Sequence, residues 1–402
     1  MSYLVFARKW RPLIFDDVVG QQHITDTLKR AIEKDRVAHA YIFTGTRGVG
    51  KTTTARILAR ALNCDKGPTI DPCGECESCQ NIINGSSFDV MEIDGASNNG
   101  VDNIRELRDN LNYNSMAGKY RIIVIDEVHM LTKGAFNALL KTLEEPPKNV
   151  IFIFATTEPQ KIPDTIHSRC QRYDFRRIST EHIAGQLAKI CKNEKINFEK
   201  EALNLVARRA DGSMRDSLSL LDQVYSFCSE NINEKEVRSI LGLVDMEVYN
   251  KILDAASDKN PAPAIIAVEE VLNKGFDLIE FIVGFQEYIR TLLFTRLPGI
   301  LENQRIDISQ ETVKMRSEKA SDFSESDLLR IAEILKKVEM DMKWSNYPRF
   351  LVETALLKIV YMESTVTIQS LYTKLKSGES PSDDSTTSLP NHLDSIKKKT
   401  LN

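Results

Sequence analysis

The sequence predicts an α/β fold followed by all-α regions, and three observations carry that expectation. Over roughly the first 175 residues, short β-rich runs alternate with helical patterns, as in a largely parallel sheet covered by helices. Between those runs apolar residues recur at three- and four-residue spacing, so that each stretch has a single apolar stripe. Past Arg177 the strand signals vanish and only helical spacing remains.

The expected strands are residues 41–44, 90–94, 122–126, 150–155 and 173–175. Ile24, Leu28, Ala31 and Ile32 mark a helix before the first strand, and Phe136, Leu139, Leu140 and Leu143 mark one between the third and fourth. From residue 180 to about residue 243 the spacing predicts short helices, with stripes at Ile183, Leu187 and Ile190 and at Leu218, Leu221 and Val224. Pro261 and Pro263 open a longer helical region, in which Leu278, Ile282, Phe285, Ile289 and Leu292 share a face. Ser326 is the expected N-cap of the next helix, with Leu328, Ile331, Leu335 and Val338 on its buried side. A last helix follows Pro348, with Val352, Leu356 and Ile359. Beyond about Ser377 the composition falls to Ser, Thr, Asp, Pro and the run Lys397, Lys398, Lys399. Such a tail buries too little apolar surface to fold alone and is expected to be disordered. No internal repeat is evident.

At 402 residues the chain is long for one small core, and at ~100–200 residues per domain it predicts two to four domains. The hydrophobic share of 42% is that of an ordinary globular protein. No apolar run approaches the ~18 residues of a membrane span, and Arg8, Lys9 and Arg11 interrupt the start, so neither a signal peptide nor a membrane helix is expected. A formal net charge of −4 excludes a generic polycation. Any nucleic-acid contact must come from a local patch or an assembly. Seven cysteines, four of them clustered, point to a reducing, cytoplasmic setting and a metal site rather than a disulfide framework.

The strongest chemical signal is Gly45-Thr46-Arg47-Gly48-Val49-Gly50-Lys51-Thr52, which follows an expected strand and opens a helix carrying Ala55, Leu58, Ala61 and Leu62. Glycines let the backbone curl so that several N–H groups converge on phosphates, and the helix N-terminus adds its dipole. Lys51 can reach the β- and γ-phosphates of ATP, and the Thr52 hydroxyl can ligate Mg²⁺. Thr53 adds the next backbone N–H. Ile122-Ile123-Val124-Ile125-Asp126-Glu127 reads as a buried strand ending in two acids. Asp126 is placed to hold the Mg²⁺ shell, and Glu127 to orient and deprotonate an attacking water. Alone, the two acids would serve equally well as a helix cap; with the loop they favour hydrolysis over mere binding.

Cys64, Cys73, Cys76 and Cys79 form a C-x8-C-x2-C-x2-C cluster between the loop helix and the next strand. Four thiolates at this spacing suit a closed tetrahedral Zn²⁺ site, with Gly74 easing the turn. A redox pair or an iron–sulfur cluster fits the spacing too, but the peripheral position favours a structural knuckle. Arg169, in Ser168-Arg169-Cys170, is either an ordinary ion-pair partner or an arginine finger for a neighbouring active site. Thr157 is placed to touch a γ-phosphate or its water, with Thr156 as rival, and Arg215 to reach a nucleotide from the helical region.

Together these stretches resemble the gamma/tau subunit family of the bacterial DNA polymerase III clamp loader, within the AAA+ ATPases. The resemblance also rests on Ala7-Arg8-Lys9-Trp10-Arg11-Pro12, on the run from Phe15 to Gln21, on Glu92-Ile93-Asp94 and Val128-His129-Met130-Leu131, and on the stretch from Phe136 to Pro147. It is dense over residues 2–225 and agrees in layout to about residue 370. It implies an AAA+ core over residues 1–178 with a zinc insertion at 64–79, an all-α lid at 179–243, an all-α collar that assembles subunits at 244–370, and a polar tail at 371–402. It makes Arg169 a trans-acting finger, Thr157 the first sensor and Arg215 the second. It also makes Arg11, Val18 and Val19 walls of the adenine site, where a bottom-up reading sees hydrophobic core. Implied partners are further copies of the chain, the delta and delta-prime subunits, the beta sliding clamp and primed DNA. The polymerase chemistry is not expected in this chain.

Tau forms of that family carry a long C-terminal extension that binds the polymerase and the replicative helicase, whereas this chain stops at Asn402. A gamma-type short form, a tau with a reduced extension and a shortened chain all fit. Polymerase-core and helicase contacts follow only if such an extension exists. Another AAA+ machine, such as a Holliday-junction branch motor, would share the loop and the acids, but the four-cysteine insertion and Leu139-Leu140-Lys141-Thr142-Leu143-Glu144-Glu145 argue against it. A scaffold that binds ATP without hydrolysing it would have no use for Glu127 and Arg169.

Overall fold

A computed structural model describes residues 4–110, 118–228, 231–296 and 322–363. The chain divides into two compact units, Met1–Leu241 and Gly242–Asn402. The expected polar tail, the end of the expected collar and the segment 297–321 lie outside the described residues. No helix among the described residues is long and apolar enough to cross a membrane.

The first unit is built on five parallel strands: β1 (Ala40–Thr44), β2 (Val90–Asp94), β3 (Arg121–Asp126), β4 (Val150–Thr156) and β5 (Gln171–Asp174). Their spatial order is β2-β3-β4-β1-β5. Parallel strands need crossover connections, and these are helical: α3 (Lys51–Asn63), α5 (Val101–Asn110) and α6 (Lys133–Glu144), with α2 (Gln22–Glu33) ahead of β1. Of the smaller helices, α1 (Phe6–Lys9) precedes the sheet, α4 (Glu77–Asn84) lies between α3 and β2, and α7 (Asp164–His167) lies between β4 and β5. Because both sheet faces are covered, every residue of β1 and β4 is buried, and their sequences read as continuous apolar runs. The side-chain alternation of strands then splits the core in two. Tyr41, Phe43, Ile122 and Val124 point to the side packed by Leu28 and Leu58. Ala40, Ile42, Ile123 and Ile125 point to the side packed by Ile104, Phe136 and Leu139.

The strand over residues 173–175 is displaced: β5 covers Gln171–Asp174, and Phe175 follows it with its N–H donating to the Thr44 carbonyl at 2.8 Å. Gln171 and Arg172 are exposed polar residues on an edge strand, so they give no apolar signal.

Four further helices complete the first unit: α8 (Thr180–Glu194), α9 (Lys200–Arg209), α10 (Met214–Phe227) and α11 (Glu234–Ile240). Ile183, Leu187, Val206, Leu221 and Val224 form their shared core. Strand structure does not end at Arg177 as the sequence predicts. Asn197–Phe198 and Asn231–Ile232 pair as two short parallel strands. Two residues are too few to show a period, so the sequence carries no sign of them.

The second unit is helical among the described residues: α12 (Met246–Ser257), α13 (Pro261–Asn273), α14 (Leu278–Arg296), α15 (Glu325–Met342) and α16 (Pro348–Val360). Its core joins Ile252, Phe281, Phe285, Leu335 and Leu356, and the Tyr249 ring stacks on Phe285 at 5.2 Å and 4°. Pro261 occupies the first turn of α13, where its missing N–H is harmless, and Asn260 caps it through the Ala262 N–H. The cap of α15 is Ser324, not Ser326: Ser324 Oγ accepts from the Asp327 N–H at 3.1 Å, which leaves Ser326 inside the first turn. Both serines precede the apolar stripe, but only Ser324 has an acid three residues on.

Phe43 is fully buried between β1 and the surrounding aromatic rings. Phe43→Ala is expected to lower the unfolding free energy of the first unit by about 3–5 kcal/mol. Denaturant titration followed by circular dichroism measures this, and a loss below about 1 kcal/mol would contradict the packing described.

Candidate nucleotide-binding site and cysteine cluster

β1 delivers Gly45 to the C-terminal edge of the sheet, and the chain turns through left-handed backbone at Gly48 (φ 76°) and Gly50 (φ 105°) before α3 begins at Lys51. Two of these glycines are required by close approach as well. A Cβ at Gly45 would sit 2.5 Å from the Phe175 carbonyl oxygen, and one at Gly48 would overlap the Ser213 hydroxyl. The N–H groups of Met214 and Arg215 donate to the Gly48 carbonyl at 3.1 and 3.4 Å, so the start of α10 is tied to the loop backbone.

Lys51 is buried, and its Nζ donates to the carbonyls of Gly45 and Thr46, both at 2.8 Å. Burial pulls its pKa below the usual lysine value, while Glu127 and Asp126 work the other way. Thr52 Oγ1 donates to Asp126 Oδ2 at 2.6 Å, which joins the ends of β1's loop and β3. The Glu127 N–H donates to the other oxygen of Asp126 at 2.9 Å. Glu127 itself has left-handed backbone (φ 45°), uncommon for a side-chain-bearing residue. Thr157 Oγ1 donates to Glu127 Oε2 at 3.1 Å. The rival, Thr156, is fully buried, with its hydroxyl 3.2 Å from His129 Nδ1 and accepting from the Glu158 N–H at 3.0 Å. Thr156 is the last residue of β4 and Thr157 lies in the bend just beyond it, which separates the two threonines.

One pocket gathers Arg11, Val18, Val19, the loop from Arg47 to Thr53, Asp126, Glu127 and Arg215. Burial, and then the neighbouring Arg56, pulls the Arg11 pKa below its usual value. Val18 is buried and Val19 is partly so, packed against the helical cluster that holds Ile183 and Leu187. Thr157 is not among the pocket residues, but its hydroxyl reaches Glu127, which is. Arg169 is not among the pocket residues; its guanidinium lies on Glu144 Oε1 at 2.5 Å and donates to the Thr165 carbonyl at 2.7 Å.

The sequence reading missed several residues of this site. Trp10, Ile190, Met214 and Leu218 line the pocket, from segments far apart in the chain. Trp10 Nε1 donates to Glu194 Oε1 at 2.8 Å, and Lys9 Nζ lies 2.6 Å from the same oxygen. The His129 side chain, two residues beyond Glu127, is 7% exposed and lies 3.4 Å from both Glu127 and Glu158; only its place in the turn after β3 hinted at this.

The four clustered cysteines come together, with their sulfurs all within 4.8 Å of one another and Cys64 Sγ 3.6 Å from Cys73 Sγ. Cys64 ends α3, Cys76 caps α4, and Gly74 turns between them with φ 74°. The N–H groups of Cys76 and Glu75 pull the Cys73 thiol down to about 6, while burial pushes Cys79 up to about 12. A tetrahedron with metal–sulfur arms of ~2.3 Å has edges of ~3.8 Å, so four sulfurs that all lie within 4.8 Å of one another suit a four-thiolate Zn²⁺ once they draw in around the ion. The same residues also satisfy the geometry of other thiophilic metals.

Three family models match the chain in sequence: "DNA polymerase III, delta subunit" over residues 20–179, "DNA polymerase III clamp loader subunit, ATPase lid domain" over 182–230, and "DNA polymerase III subunits gamma and tau domain III" over 232–375. The DNA polymerase III subunit tau of Bacillus subtilis is 46% identical over 363 residues, 89% of this chain and 63% of the relative. The chain therefore spans less than two thirds of that relative's length. The DNA polymerase III subunit gamma of Buchnera aphidicola is 35% identical over 362 residues, 90% of this chain and 99% of the relative. Among solved structures, the Thermotoga maritima RuvB Holliday junction branch migration motor matches at 18% identity with a TM-score of 0.45, over 61% of this chain and 78% of that one.

Glu194 holds its carboxyl below the usual range, through Lys9 first and Trp10 also. Its contribution is thus present above the ordinary glutamate value and lost as pH falls through the depressed one. Trp10 emission is expected to change over that acidic window in the wild type. In Glu194→Gln the change should be absent, since Trp344, almost fully exposed, reports only solvent.

Proposed function

The chain belongs to the gamma/tau family of DNA polymerase III subunits, and from that premise we propose that it is an ATP-driven motor subunit of a clamp loader, which opens a beta sliding clamp and sets it on primed DNA. The observation that supports this most is the pair of hydrogen bonds Thr52–Asp126 and Thr157–Glu127, which bring a phosphate loop, a metal-holding acid, a base and a sensor to one sheet edge.

In this reading the N–H groups of residues 45–53 and the Lys51 ammonium grip the phosphates of ATP. Thr52 and Asp126 would hold the magnesium ion, which would supply positive charge against the phosphates. Glu127 orients a water and takes its proton as the water oxygen bonds to the γ-phosphorus. The bond from that phosphorus to the β,γ-bridging oxygen breaks, leaving ADP and phosphate. Thr157 senses the γ-phosphate through the same carboxylate, and Arg215 closes the pocket from the helical lid. Arg11, Val18 and Val19 wall the adenine. Arg169 serves the site of an adjacent copy, which fits its place outside its own pocket. ATP bound between subunits favours the clamp-gripping state, and hydrolysis releases the clamp.

The four thiolates hold a structural zinc in a peripheral knuckle. The domain roles proposed are core, lid and collar over residues 1–178, 179–243 and 244–370. The collar gathers copies of this chain with the delta and delta-prime subunits. The setting proposed is the cytoplasm.

In a reconstituted loader with beta clamp and primed DNA, Lys51→Ala is expected to abolish stimulated ATP turnover. Arg169→Ala should spare nucleotide binding by the isolated subunit but lower stimulated turnover by on the order of 10³-fold. Wild-type turnover that clamp and DNA leave unchanged would refute the loader reading, and normal stimulation in the Arg169 variant would refute the finger. Elemental analysis of the purified chain should find about one zinc and no visible iron–sulfur absorbance. Cys76→Ser should lose that metal, and a metal-free wild type would remove zinc from the account.

A further inference from the structure

We infer that His129 is a positioning residue that pins the Glu127 carboxylate for its work on the attacking water. This rests on the hydrolytic reading above and adds a residue to it. The imidazole is nearly enclosed, with 7% of its side chain exposed, and each ring nitrogen faces a carboxylate. Nδ1 lies 3.4 Å from Glu127 Oε2, and Nε2 lies 3.4 Å from Glu158 Oε1. The hydroxyl of Thr156 sits 3.2 Å from Nδ1. On the far side, Lys161 Nζ holds Glu158 Oε1 at 2.9 Å.

The reason for such a device lies in Glu127 itself. Its backbone is fixed in the left-handed region, but three side-chain torsions separate that backbone from the reacting oxygen. Thr157 touches only one oxygen, Oε2. The His129 ring approaches the same oxygen from a second direction. Two contacts on Oε2 hold that oxygen in place and leave Oε1 to take the proton from water. The ring cannot drift, because the buried Thr156 hydroxyl and the Glu158–Lys161 pair hold it from other sides. His129 is not among the residues lining the nucleotide pocket, whereas Glu127 is, so the direct route for its effect runs through Glu127.

The test uses the full chain in the reconstituted loader, with ATP turnover stimulated by clamp and primed DNA. His129→Ala is expected to lower kcat by about 10-fold or more, while the KM and the Kd for ATP stay within about twofold. His129→Asn, whose amide nitrogen takes the place of Nδ1, is expected to recover most of that loss. In a Glu127→Gln background, His129→Ala should cost less than about twofold, because the carboxylate it positions is gone. An equal loss in both backgrounds, or a raised KM at unchanged kcat, would overturn the inference. A second readout needs no turnover: the imidazole ¹⁵N resonances of His129, identified by their loss in His129→Asn, should move in Glu127→Gln. Unmoved resonances would overturn the positioning role even if the wild type hydrolyses ATP. A wild type without turnover but with moved resonances would instead overturn the hydrolytic reading and leave the contact standing.

Discussion

All five strands of the sheet run parallel, and the rest of the molecule's chemistry depends on that one constraint. Strands that run the same way end at the same edge, so residues far apart in sequence arrive there together without any loop having to reach across. The strand order then does the fine placement. β1 and β3 are not neighbours; β4 lies between them, and it is the end of β4 that carries Thr157 toward Glu127. The Thr52–Asp126 bond spans the same gap from the other side. Burial of both sheet faces makes the strand ends rigid enough for contacts of this length to persist.

The loop itself is held from two directions. Phe175, just past β5, closes on Gly45, and the first turn of α10 closes on Gly48. Glycine is needed at these positions because other parts of the chain come too close for a side chain, as well as for its backbone freedom. The lid helices are thus in hydrogen-bonded contact with the phosphate loop, and a change at one is felt at the other. Charge behaves in the same local way. The pocket that gathers Arg11, Arg47, Lys51 and Arg215 is also lined by Asp17, Glu92, Asp94, Asp126 and Glu127, so neither its own sum of charges nor the chain's net −4 says which groups meet a ligand.

Much of this was legible in the residues. The spacing from Gly45 to Thr52 encodes a local structure, and a local structure can be read from local sequence. The same holds for the apolar run into Asp126 and for the four cysteines, whose sulfurs meet because the chain turns at Gly74. What stayed hidden depends on packing. Whether Thr156 or Thr157 faces Glu127 turns on where β4 ends; spacing leaves the two as rivals, and it is the family resemblance that favours Thr157. The displaced β5 reflects an edge strand of exposed polar residues, and the paired strands at Asn197–Phe198 and Asn231–Ile232 are too short for any pattern. Ser324 and Ser326 are both good cap residue types, and the acid three residues after Ser324, which the hydrogen bond to the Asp327 N–H singles out, separates them. His129 and Trp10 matter through partners contributed by other segments, which no stretch of sequence displays.

The pairing of Ala40–Thr44 with Phe152 through Thr156 also has a consequence for how the protein is made. The ribosome releases β1 long before β4 or β5 exists, so a strand buried along its whole length in the finished sheet first emerges with both edges unpaired. Long-range pairings of this kind form late and leave sticky intermediates behind them. A nascent chain halted before β4 therefore contains the sequence of a phosphate loop without its shape. The edge that would hold a nucleotide is complete only once β4 and β5 have joined β1, and until then the exposed strand is a hazard to be shielded.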